Sequence, residues 1–319
     1  MSCGNDIDLI TYADPIPVVY GIICPKDSIH EITLKRSFIC ENNIPLYSSN
    51  PDSNYYPNAQ IFLETRVQSG EIIQRTEMFK YELPPRETDM FVSSPNYVYR
   101  CLKKDLIVTT NGKKELRYAL TIHIPDQNKT IIAESIIPPL SMSGITPNPG
   151  SEGIKLDLFS SRPQKFSWRI SLDFYVEFET KVNFLEERNG KWEEASISHF
   201  KKYNHADTKA RGAEVIVNGD WFYPMLGGKI EDDPEVTSRK FMSIDFILKT
   251  ADANFYDYFF YEHYLTDLST NTFTNIVDGL GIFIAYNKAE WLGYSLNQRS
   301  LDHLALGKYT KHLNFTRWD

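Results

Sequence analysis

Residues whose type and spacing suit chemistry occur in four short stretches. "ISHFKKYN" sets Ser198 and Lys201 in the S-x-x-K spacing of an acyl-enzyme serine and its lysine. The companion motifs of such a site are missing, so the spacing alone assigns nothing. His199, His205 and Asp207 follow one another closely enough to bind a metal, although loop histidines are ordinarily solvated. "EDDPE" at Glu231–Glu235 offers oxygen ligands of the kind calcium takes. It lacks the spaced acids and the glycine of an EF-hand loop and reads as a solvated turn. In "TNIVDGLGIFIAY", Gly279 and Gly281 lead into an apolar strand and not a helix. With no GxxxxGK or GxGxxG, they read as a tight turn and not a phosphate loop.

Neither a GxSxG elbow nor an HExxH pair is present. There are 42 Asp and Glu residues, and the ~5–9 Å separation of a glycosidase pair cannot be selected from spacing. Sequence therefore assigns no catalytic residue, no metal and no cofactor.

Cysteine is the next reactive side chain. Cys3 stands behind a small residue and ahead of Gly4, Asn5 and Asp6. This resembles the end of a bacterial lipobox, in which the cysteine becomes the acylated mature N-terminus. Several acyl chains anchor stably because each buried CH₂ contributes ~0.8 kcal/mol. Residues 4–16 then read as a tether, and Asp6 and Asp8 suit a surface-export signal. Cys24, Cys40 and Cys101 form no CxxC or zinc spacing; a disulfide among them and isolated buried thiols both remain open.

These residues need a scaffold, and composition bounds it. The chain has 319 residues, 42% hydrophobic, which suits two domains with real cores. Aromatics at 13% favour β structure. A net charge of −8 argues against a nucleic-acid partner. No apolar run approaches the ~18 residues of a membrane-spanning helix.

Period-2 patterning starts at Pro17. "PVVYGIIC", a Pro-Lys-Asp-Ser turn and "HEITLKRSF" predict a β-hairpin with Ile32, Leu34 and Phe38 on one face. "AQIFLETRV", "NYVYRCL", "LRYALTIHIP" and "KTIIAESIIP" add strands. An immunoglobulin-like or transthyretin-like sandwich is expected over 17–140. "SMSGITPNPG" over 141–150 reads as a linker.

The second domain, 151–319, is expected to be a larger antiparallel sheet or partly open barrel. In "FSWRISLDFYVEFETKVNF" the apolar residues fall on even positions from Phe166 to Phe184. At ~3.3 Å per residue this is too long for one ordinary strand, so a bulge is expected near Glu179–Lys181. Asn189-Gly190 predicts a hairpin turn. Met242, Ile244, Phe246 and Leu248 align on a further strand. "NGDWFYPMLGG" reads as a loop. One main helix is expected at about 252–268, with Asp252 as cap and aromatic rings on two faces.

The quoted stretches together resemble a family. "PVVYGIICPKDSIHEITLKRSF", "AESIIPP", the aromatic helix and the Asn275–Phe283 segment are similar, in the same order, to the Bacteroidota envelope lipoproteins of domain-of-unknown-function family 4249. The resemblance runs from about Pro17 to Tyr286. It implies a two-part β protein on the outer membrane, lipid-anchored and associated with a TonB-dependent transporter barrel. It supplies no catalytic residues. The expected function is binding or accessory, with a surface enzyme acting on glycans or peptides as the alternative, and the cell surface is favoured over the periplasmic face. Ring-bearing polar loops are the expected contact surfaces: Tyr47, Tyr55 and Tyr56 in one, and Trp221, Phe222 and Tyr223 in the other. Packing of the same rings onto the ends of the sandwich is the competing expectation.

Overall fold

The computed structural model describes residues 14–37, 54–85, 95–102, 116–136, 141–146, 155–169, 174–203, 213–252, 254–255 and 274–317. Cys3 with its tether as far as residue 13, Cys40, Tyr47, His205, Asp207 and nearly all of the expected helix at 252–268 lie outside these residues. The fold is mainly β. Two compact units divide the chain: residues 1–137 with 254–285, and residues 138–253 with 286–319. The second unit is thus not the continuous 151–319 expected, because the first unit takes back a segment from within it.

In the first unit, β1 (Pro17–Ile23) and β2 (Ile29–Arg36) form the expected hairpin. Their turn is closed by Asp27 N–H donating to the Cys24 carbonyl at 2.9 Å. β3 (Gln60–Val67), β4 (Ile72–Leu83), β5 (Asn96–Leu102), β6 (Leu116–Ile124) and β7 (Lys129–Ile136) continue the ladder. β4 lacks a clean apolar alternation, which hides it in the sequence. Its first half pairs with β3 and its second with β5. That change of partner carries the chain from one layer to the next. The core takes Val19, Ile32 and Leu34 from one layer and Ile61, Leu63, Tyr118, Leu120 and Ile122 from the other.

β15 (Ile276–Val277) joins β7, and the first six residues of β16 (Leu280–Leu296) lie parallel to β1. The Gly279–Gly281 turn between them is conformationally forced. Gly281 has φ of +100°, and a β-carbon there would sit 2.0 Å from the Val19 carbonyl oxygen.

In the second unit, β11 (Phe174–Arg188) and β12 (Lys191–Tyr203) meet at Asn189 and Gly190, whose φ angles are +51° and +73°. This is the two-residue turn the Asn-Gly pair predicts. β14 (Val236–Asp252) and the rest of β16 extend the sheet, and β9 (Lys155–Leu156) pairs parallel with the end of β16. A three-stranded sheet of β8 (Ser141–Thr146), β10 (Gln164–Arg169) and β13 (Ala213–Val217) stands apart. The expected linker therefore contains a strand.

The expected long strand from 166 to 184 is two strands, β10 and β11, in different sheets. Its even-position pattern survives because Phe166, Trp168, Val176, Phe178, Val182 and Phe184 all enter one core. The register against β14 breaks at Asn183/Phe184 and again at Glu187/Arg188, not at Glu179–Lys181. Ser243 and Phe241 face Asn183 and Phe184, which leaves Met242 as the extra residue and turns it outward, 49% exposed.

Residues 219–229 form helix α1 (Gly219–Lys229), not a loop. The Asn218 side chain caps it by accepting from Asp220 N–H at 3.2 Å. Gly227, which reads as a turn residue, is required by close approach: a β-carbon there would meet the Tyr309 carbonyl at 2.1 Å. A second helix, α2 (Gln298–Leu306), is capped by Asn297 Oδ1 accepting from Ser300 N–H.

Candidate functional site

Ser198 and Lys201 lie on β12, where residues three apart point to opposite faces. The Ser198 hydroxyl donates to Glu179 Oε1 at 2.7 Å, and the Lys201 ammonium sits 5.3 Å from the Tyr203 ring centroid. They do not form a nucleophile–base pair. His199 lies 5.5 Å from the Trp221 ring, and burial, then Lys229 and Lys201, hold its pKa below the ordinary value. In the acidic stretch, Asp233 accepts from Glu235 N–H at 2.9 Å and from Arg188 at 2.5 Å, and both bonds lower its pKa. Among the described residues, no group of three or more His, Cys, Asp or Glu side chains could hold a metal ion.

Cys24 and Cys101 are buried thiols. Tyr55 and Tyr56 are buried too, at 6% and 3% exposure. Tyr55 stands edge-on to Tyr97 at 5.2 Å, and Tyr56 donates to the Pro15 carbonyl at 3.1 Å. In α1, Phe222 and Tyr223 are core residues, and Tyr223 donates to the Ser300 carbonyl at 2.9 Å. Half-buried Trp221 donates through Nε1 to the Ile216 carbonyl at 2.9 Å. The structure places all five rings against their own unit. A helix with an apolar side takes its rings inward, and an Asn-Gly start disguised that helix as a loop.

A different place in the second unit has the makings of a site. A pocket of about 140 Å³ is lined by Lys155, Leu156, Asp157, Leu158, Ser160, Arg162, Gln164 and Val217. Its wall is a loop folded by its own side chains. Asp157 Oδ1 accepts from Phe159 N–H at 3.0 Å, and Ser160 Oγ accepts from Arg162 N–H at 3.0 Å. The loop is pinned at both sides: Leu158 N–H donates to Ser300 Oγ of α2, and the Leu158 carbonyl accepts from Gly219 N–H of α1. Outside the pinned turn, Phe159 lies 4.8 Å from the His303 ring and under the Arg299 guanidinium at 4.7 Å.

Gln164 opens β10 opposite Val217. It is 3% exposed, and neither its Oε1 nor its Nε2 has a hydrogen-bond partner among the described residues. A buried amide left so forfeits about 1–3 kcal/mol, which a bound polar group or ordered water restores. Lys155 and Arg162 add two cations against the one carboxylate of Asp157. This set suits an oxygen anion such as a carboxylate: Gln164 Nε2 donates, and the cations balance the charge. The volume holds such a group but not a whole drug-sized ligand, which needs roughly 300 Å³ or more. Sequence reasoning passed over Gln164. Its signal was parity, since it shares the even positions of Phe166 and Trp168 and is the polar member of an inward row.

A family model described as "Domain of unknown function (DUF4249)" matches residues 5–291, and the chain belongs to that family. No curated protein matches the chain.

Proposed function

We propose that this DUF4249 member is a cell-envelope binding or accessory protein. In this reading it is lipid-anchored to the outer membrane through Cys3, with its units on the cell surface, and it serves a TonB-dependent transporter barrel. The lipobox-like junction and the family resemblance support the address and the partner. The observation that carries the binding role is the buried Gln164 amide, without a partner among the described residues, in a pocket with Lys155 and Arg162. A pocket of that size takes a side chain or a chain end, which fits contact with a larger partner.

Three described carboxylates fit the same reading, because cations engage them. Glu64 is held by Arg66, Glu179 by Lys249, and Glu186 by Arg239 and Arg188. For Glu186, hydrogen bonds from Arg239 and Arg188 outweigh burial and hold the pKa below its ordinary value, the opposite of what the proton donor of a glycosidase pair needs.

The test is titration of the isotope-labelled chain with acetate, followed through the Gln164 side-chain amide resonances. Saturable shifts at Gln164 in the wild type, absent in Gln164→Leu, are expected. Shifts that persist in Gln164→Leu, or none at all in the wild type, would remove the pocket from the account.

A further inference from the structure

β12 runs for 13 residues, Lys191–Tyr203, and pairs only with β11 among the described residues. It is therefore an edge strand. The residues flanking a two-residue hairpin turn exchange both backbone bonds, so Arg188 and Lys191 do so here. Odd residues of β12 then bond inward to β11. Trp192, Glu194, Ser196, Ser198, Phe200 and Lys202 direct their backbone groups to the open side. The Lys229 ammonium, which donates to the Ser198 carbonyl at 2.9 Å from outside the ladder, agrees with this parity. A carbonyl has a second lone pair, so that contact leaves Ser198 able to accept again.

Edges are usually protected by charge of one sign, which repels any second strand. β12 does something different. Its acids, Glu193 and Glu194, lie in the first half, and Lys201 and Lys202 lie in the second. Antiparallel pairing of the strand with itself about Ile197 keeps the required parity. It sets Glu193 opposite Lys201 of the second copy, and by symmetry Lys201 opposite Glu193. Trp192, 46% exposed, falls opposite Lys202 of the second copy, an arrangement suited to a cation–π contact. Ile197 meets its own copy at the axis. Two residues of slip toward the turn would instead oppose Lys191 to Lys201, which the charges disfavour; slip the other way opposes Glu194 to Lys202, and the Glu193/Lys201 swap distinguishes that register from this one.

We infer that β12 is an isologous interface through which two copies of this chain pair edge to edge, the sheet of one continuing into the sheet of the other. The occupant is a second copy because the charge pattern of the strand is complementary to itself. Glu193 and Glu194 have no ion-pair partner among the described residues, so they are available to such a copy.

The experiment is sedimentation velocity of the 319-residue chain over 1–100 µM, beside four variants checked for native melting temperature. Wild type is expected to sediment at twice the chain mass in the upper part of that range. Glu193→Lys and Lys201→Glu alone each reverse two symmetry-related pairs and should weaken dimerisation about tenfold or more. The double variant Glu193→Lys/Lys201→Glu should recover to within about threefold of wild type. Ser196→Pro removes an outward N–H without touching the β11 ladder and should be monomeric. A monomeric wild type at 100 µM, a Ser196→Pro protein that still dimerises, or a double swap that stays as weak as its single parents would each overturn the inference.

Discussion

The Asn275 side chain hydrogen-bonds both backbone groups of Phe283, eight residues on. Oδ1 accepts from Phe283 N–H at 2.9 Å, and Nδ2 donates to the Phe283 carbonyl at 2.6 Å. The amide thus stands in for a neighbouring strand at the start of β16, and Nδ2 also reaches the Glu134 carbonyl of β7 at 3.3 Å. Phe283 itself is fully buried. Asn275→Ala should destabilise the first unit by about 2–4 kcal/mol, because two buried backbone groups lose their partners. Urea unfolding checks this; a change under about 0.5 kcal/mol would contradict it.

Within the same segment, Gly281 allows no side chain. Its φ is in the left-handed region, and the Val19 carbonyl occupies the β-carbon position. Gly281→Ala should separate β16 from β1 and cost more than about 3 kcal/mol, read as a fall in melting temperature or loss of soluble protein. Gly70→Ala, at φ of +87° with open space around it, is the control and should cost only about 1 kcal/mol.

In the second unit, Arg239 clamps the C-terminal segment. Only 2% exposed, it donates to Glu186 Oε1 at 2.8 Å, to the Leu313 carbonyl at 2.8 Å and to the Glu231 carbonyl at 3.1 Å. Burial alone would raise the Glu186 carboxyl; hydrogen bonds from Arg239 and Arg188 outweigh it and hold the pKa below its ordinary value. A depressed carboxylate contributes stability above its unfolded pKa, and that contribution is lost as pH falls through the folded value. Arg239→Met should cost about 3–5 kcal/mol near neutral pH, since it removes one of the two guanidiniums on Glu186 and leaves the Leu313 and Glu231 carbonyls without their donor. The deficit should shrink in acid, as pH falls below the ordinary carboxylate range and the contribution of Glu186 is lost. Urea melts of both proteins at neutral pH and in that acid range read the difference.

Buried tyrosines set the alkaline limit. Burial pushes Tyr56 up to about 12, against a small lowering by Arg36, and raises Tyr99 to about 12 as well. A raised pKa means the folded state keeps its proton longer, so this stability is whole below about pH 10 and disappears as pH rises toward 12. The first unit should unfold cooperatively in that window. Tyrosinate absorbance at 295 nm and far-UV circular dichroism should change together. Early ionisation of Tyr56 and Tyr99 with structure intact would contradict their placement.

Lipid attachment is a chemical prediction. Radiolabelled palmitate fed to the native host should appear on the protein made with its own leader, and Cys3→Ala should abolish it. An unlabelled wild type would contradict anchoring.

The hairpins and the strands β3, β5, β6 and β7 were legible because one face of each is dry, and alternation reports one dry face directly. β4 was not, since most of its residues face water on both sides. The split between β10 and β11 was invisible for the opposite reason: two strands in different sheets face one core and so write one continuous pattern. α1 was hidden by residues that signal turns, Asn218-Gly219, Pro224 and Gly227-Gly228. Asn218 caps the helix, and Gly227 meets the Tyr309 backbone. The pocket was half legible, because Gln164 broke an inward apolar row, but the loop that closes over it is held by Ser300 and Gly219, far away in sequence.

On the proposed function, the protein binds a transporter barrel at the outer membrane. Affinity purification of the tagged wild-type protein from detergent-solubilised native membranes tests it most directly, with Gln164→Leu carried in parallel. One outer-membrane barrel should co-purify in near-stoichiometric amount with the wild type and be depleted at least about tenfold with Gln164→Leu at unchanged melting temperature. Wild-type protein recovered from those membranes with no barrel at all would contradict it.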